Sequence, residues 1–124
     1  NIKDAFSINI GIDFEIIVFK NFPNQQVLKK CIEDLKIFFD VDRWQINQPI
    51  IISEIYNIIG AVEGVQSVPD VKIHNLVGQD LGYSPYKYDL DDATIKGIIY
   101  PSLDPSIFEL RSPNQDIKGR ITTY

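Results

Sequence analysis

The chain has 124 residues, 44% of them hydrophobic and 23% charged, which is the balance of a folded domain and not of a disordered or fibrous chain. That length suits one domain with one core, able to bury roughly two thirds of its unfolded surface without disulfide staples. The formal charge of −5, with Lys29 and Lys30 as the one adjacent basic pair, argues against a nucleic-acid partner, and no apolar run reaches the roughly 20 residues of a membrane-spanning helix.

From Ser7 to Phe19 the even positions Ile8, Ile10, Ile12, Phe14, Ile16 and Val18 are apolar, while Asn9, Gly11, Asp13 and Glu15 alternate with them. Period two predicts a long strand with one buried face, and Ile17 and Phe19 make its end apolar on both sides. Pro23 closes the strand, and Asn24 is placed to cap a helix over Gln25 to Phe39. There Val27, Leu28, Cys31, Ile32, Leu35, Phe38 and Phe39 form the apolar stripe. A second extended piece is expected from Val41 to Ile52, confined by Pro49 to an edge or a connection.

A second helix follows, in which Ile55, Ile58, Ile59 and Val62 recur at i, i+3, i+4, i+7, with Ser53 placed to cap it and Gly64 to end it. Next, Val71 and Ile73 alternate with Lys72 and His74, a half-buried strand. Beyond Leu76 a polar excursion from Gly78 to Gly97 carries Tyr83, Tyr86 and Tyr88. Loops of that length are uncommon in compact domains and are usually functional. Ile98 to Tyr100, Ile107 to Leu110 and Ile117 to Thr122 then read as short strands.

Catalytic signatures are weak. The single histidine, His74, lies on the polar face of a strand, and no G-x-S-x-G elbow is present. One histidine and the lone cysteine, Cys31, cannot make the usual structural zinc set, and Cys31 reads as a small buried hydrophobe. Asp13 and Glu15 share a strand face at roughly 6.6 Å along the chain, a spacing that approaches that of inverting glycosidases, but paired acids on a solvent face also discourage edge pairing. The cluster Asp89, Asp91, Asp92 opens like an EF-hand loop and then departs from it, with Thr94 in the glycine place and Tyr100 in the glutamate place. It reads better as a turn or a helix start. Gly78 and Gly82 lack the lysine and serine or threonine of a phosphate loop. The tyrosines carry a different signal, because rigid amphipathic rings suit protein interfaces; they equally suit self-covering, and Trp44 shares that ambiguity.

The run LKIFFDVDRWQINQPIIISEIYNIIGAVEGVQSVPDVKI contains W-Q-I-N-Q-P-I followed by S-x-I-x-x-x-I-x-x-V-x-G-V, and the tail reads GIIYPSLDPSIFELRSPNQDIKGRI. Together, over about Phe14 to Ile121, these resemble the C-terminal domain of baseplate J-like proteins, the wedge components of contractile phage tails, in the version found in T-even-type phages. Asn47 stands where many members carry glycine, and asparagine is the residue that best tolerates left-handed backbone after glycine. The resemblance implies a structural role with no catalytic residues to carry over.

The expected fold is therefore α+β, a two-layer sandwich of two helices on a mixed sheet in β-α-β-α-β order. Residues 1–77 would form the core, 78–97 a long loop, and 98–124 an extension of short strands in the same domain. The expected function is a baseplate wedge subunit that is not an enzyme and needs no cofactor or metal. Its partners would be copies of itself and other wedge proteins, without nucleic acid or a membrane span, in the virion after assembly in the host cytoplasm. Tyr83, Tyr86, Tyr88 and Trp44 are the candidate interface residues. The absence of methionine suggests a piece of a longer polypeptide, and NIKDAF lacks the pattern of a signal peptide. Two alternatives remain: a small ligand- or peptide-binding module, and a hydrolase using Asp13 and Glu15.

Overall fold

The computed structural model describes residues 6–78, 83–84, 87–102 and 105–123. Strand β1 (Phe6–Val18) is its axis, and the alternation read from the sequence places Ile8, Ile10, Ile12, Phe14 and Ile16 in the core. The order continues with α1 (Asn24–Phe38), β2 (Ile50–Ile51), α2 (Ile52–Gly60), β3 (Val65–Asn75), α3 (Leu90–Ala93), β4 (Thr94–Ile95), β5 (Ile98–Ile99), β6 (Ser106–Glu109), α4 (Pro113–Asp116) and β7 (Ile117–Ile121). The molecule is mixed α+β, with helices and two sheets.

In the larger sheet β1 pairs antiparallel with β3 along one edge. Along its other edge it pairs parallel with β6 through Phe6 to Asn9, then with β7 through Ile12 to Ile16. The C-terminal strands are thus built into the main sheet next to its central strand. The smaller sheet has the order β2-β5-β4, so β2 does not share a sheet with β1 and β3.

Helix α1 buries Val27, Cys31 and Leu35, and α2 buries Ile55 and Ile59. The helices touch each other, α1 also lying on β7 and α2 on β3. Close approach on the α1 side depends on Gly119, where a Cβ would collide with the Phe14 ring and with Leu28. Burial pushes the Cys31 thiol up to about 11, with the nearby Asp34 charge adding to the effect. The thiol therefore stays neutral and packs as an apolar group.

Several expected boundaries move. Asn24 does not cap α1; Pro23, already extended at φ −71° and ψ 115°, holds the cap position and Asn24 begins the helix. Ser53 does not cap α2 either, because Ile50 and Ile51 pair with β5 up to the helix start, which puts Ser53 inside the first turn. That helix ends at Gly60, and Gly64, at φ +102°, turns the chain into β3 instead of terminating α2. The extended piece from Val41 to Ile52 shrinks to β2, since the Asp40 carbonyl accepts from the Arg43 and Trp44 N–H groups and its side chain accepts from Asp42, which curls the chain into turns. Asn47 adopts φ 64°, the left-handed conformation that asparagine tolerates best after glycine. Its N–H donates to the Ser106 carbonyl and its Oδ1 accepts from the Ser106 N–H, which ties this turn to β6.

The excursion from 78 to 97 has structure of its own at its end. Asp89 Oδ1 accepts from the Asp92 N–H and so caps α3, the helix-start reading of that acidic cluster. Lys96 and Gly97, both with positive φ, then make the two-residue turn between β4 and β5.

Candidate functional site

The outer face of the larger sheet gathers ionisable residues from three strands. Asp13 meets the His74 ring at 2.9 Å, Glu15 is ion-paired to Arg120, and Lys72 lies 3.9 Å from Asp70. Register explains the grouping, because Asp13 sits opposite Lys72 on one side and Lys118 on the other, while Glu15 sits between Asp70 and Arg120. A hollow of about 270 Å³ opens among them. Catalysis by two carboxylates needs one acid kept protonated by burial or by a like charge. Here Asp13 instead lies between Lys72 and Lys118 and Glu15 is paired with Arg120, and neither acid is buried.

The tyrosine-bearing segment is fastened to the sheet by a buried polar node. Asn9, fully buried, donates to Glu109 and accepts from the Ser84 N–H, while its carbonyl accepts from the Leu76 N–H and the Asn75 side chain. The Tyr83 hydroxyl donates to Asp116 Oδ1 at 2.7 Å, and this bond, with some burial, holds the phenol above its usual pKa. The Tyr88 hydroxyl donates to the Tyr100 carbonyl, and its ring lies 6.4 Å from that of Phe108. Both hydroxyls are therefore engaged within the chain. Tyr86 lies outside the described residues. Trp44 is buried, with its ring centroid 5.5 Å from Phe38 and 5.0 Å from Phe39, so little of the indole is left for a partner.

Sequence reasoning missed a third surface. In the smaller sheet Ile50 pairs with Ile99 and Ile51 with Ile98, while Ile95 lies opposite Ile98 on the other strand. Cross-strand partners share a face, and Ile50 and Ile99 are buried inward, so Ile51, Ile98 and Ile95 form a row on the outward face. Tyr100 continues that face beyond Ile98. Ile95 is 58% exposed and Tyr100 43%, far more than the core can explain. The signal was present in the runs Pro-Ile-Ile-Ile and Gly-Ile-Ile-Tyr, where consecutive isoleucines on a strand must send one side chain outward.

No family model and no curated protein matches the chain. Among the described residues, no group of three or more histidine, cysteine or acidic side chains is placed to hold a metal, and no helix is long and apolar enough to cross a membrane.

Proposed function

We propose that this chain is a structural domain of a contractile-tail baseplate, of the wedge type its sequence resembles, which joins copies of itself and neighbouring wedge proteins in the virion. The observation that carries this reading is the outward row of Ile51, Ile98 and Ile95 with Tyr100 beside it. Apolar side chains grouped on a surface lose hydration free energy that a covering partner recovers, and such groups mark protein contacts. In this reading α1 and α2 form one layer over the mixed sheet, a two-layer sandwich opened by a β-α-β-α-β succession. The tyrosine segment adjoins the isoleucine row through the bond from Tyr88 to Tyr100, and Trp44 steadies the approach to β2 from within.

Sedimentation velocity from about ten micromolar to about one millimolar tests the contact. The parent chain should self-associate, and the double substitution Ile95→Lys and Ile98→Lys should abolish association while circular dichroism stays unchanged. A parent that remains monomeric throughout, or a variant that associates as well as the parent, overturns the contact. Gold-labelled antibody against the chain should decorate the baseplate end of contractile particles; label confined to other structures would sink the assignment.

A further inference from the structure

The edge of β3 turned away from β1 lies beside a recess. In the β1–β3 ladder the Leu76 N–H reaches the Asn9 carbonyl, and the register then makes Gly11 with His74 and Asp13 with Lys72 the hydrogen-bonded pairs. Val71 and Ile73, in the intervening pairs, must therefore turn their backbone groups away from β1. One observation confirms this independently: the Val71 N–H donates outward to the Tyr56 hydroxyl of α2 at 3.2 Å. The Val71 carbonyl and both backbone groups of Ile73 have no hydrogen-bond partner among the described residues.

Those groups face a trough. One hollow of about 660 Å³ has Ile52, Val71, Ile73, Leu90 and Ile99 along its walls, and a second of about 560 Å³ continues it past Asn75 to Val77. The hollows share Ile73, His74, Leu90 and Asp91, so the trough follows β3 for roughly 20 Å between Val71 and Val77. Lys72, His74, Asp91 and Thr94 share the lining with these aliphatic residues, so apolar side chains stand beside backbone groups that have no partner among the described residues, as an added strand requires.

We propose that this trough takes an extended segment of another protein as an extra strand on β3, with aliphatic residues directed into the trough and acidic residues alternating with them. The charge preference follows from register. A strand added to β3 sets its outward residues opposite Lys72 and His74, and on the other side of β3 the chain itself answers this pair with Asp13, which lies opposite Lys72 and bonded to His74. Along the hollows themselves Lys87 is offset by Asp89 and Asp91, so the charge preference comes from the register opposite Lys72 and His74. A second copy of β3 fits less well. Antiparallel pairing centred on Ile73 sets Lys72 against His74, and the register that would set Lys72 against Asp70 centres on Val71, whose N–H is already taken by Tyr56. This site is separate from the isoleucine row, so either proposal can fail alone.

The probe is a peptide of about eight residues alternating aspartate or glutamate with valine or isoleucine, titrated into the 15N-labelled chain. Chemical shifts should move at residues 71–75, and N-methylation of the peptide's alternate amides on the bonding side should weaken binding by about fivefold or more. Ile73→Pro removes an outward N–H while sparing the β1 ladder, so it should fold and bind at least about fivefold more weakly. Tyr56→Phe frees the Val71 N–H and should tighten binding. Replacing the peptide's acids with lysine should weaken it. Equal binding of the methylated peptide, tighter binding of the lysine peptide, an unaltered affinity in Tyr56→Phe, or shifts at 71–75 produced by concentrating the chain alone would each overturn the proposal.

Discussion

Both sheets present one face outward, and the two faces are finished differently. On the larger sheet, acids and bases from three neighbouring strands answer one another across the register, as Asp13 does with His74 and Glu15 with Arg120. On the smaller sheet the corresponding row is Ile51, Ile98 and Ile95, with nothing polar between them. Water solvates the first face at little cost, whereas the second sheds water gladly. The contrast directs attention to the smaller sheet as the place where the proposed contact would form.

The contrast is tested hardest by isoleucine itself. Ile12→Ala, on the covered side of β1, should cost about 2–5 kcal/mol in urea unfolding, whereas Ile95→Ala should change stability by no more than about 0.5 kcal/mol. Equal losses would mean that Ile95 is core and that the outward face does not exist.

Next in size is a pH effect from the covered side. The folded Cys31 thiol sits near 11, above its ordinary value of about 9, so its contribution is complete below pH 9 and is lost as pH rises from 9 to 11. The parent should lose up to about 3 kcal/mol more than Cys31→Val over that interval. Parallel pH curves for the two proteins would show that burial does not control this thiol.

The double lysine substitution on the small sheet should abolish self-association with little change in melting temperature. Lys96→Asn, at φ 52° in a turn that favours Asn-Gly, should stabilise the β4–β5 hairpin by about 0.5–1 kcal/mol, read by thermal unfolding. The smallest effect belongs to the charged face: Glu15→Gln should cost less than about 1 kcal/mol, because its partner Arg120 is largely exposed and the pair is screened. A larger loss there would erase the distinction between the two faces.

Much of the frame was legible. The uninterrupted alternation in β1, the helical stripes of α1 and α2 and the three late strands were all readable, because strong periodicity states which side of an element is buried. Capping was not, since Asn24 and Ser53 have the right chemistry but neighbouring residues, Pro23 and the β2–β5 pairing, set where each helix begins. The tyrosines stayed balanced between interface and self-covering, because nothing local announces that Tyr83 will find Asp116 or that Tyr88 will find Tyr100.

By itself the sequence determined the mixed α+β class and the buried face of each long element, matters of local conformation and hydrophobic period. Only tertiary structure decided which strands became neighbours: that β6 and β7 share one edge of β1, that β2 leaves for a second sheet, and that Ile51 lines up outward with Ile98 and Ile95 from far along the chain. Pairing depends on contacts between residues far apart along the chain, and one-dimensional patterning carries the burial of each side chain but not the identity of what lies across from it.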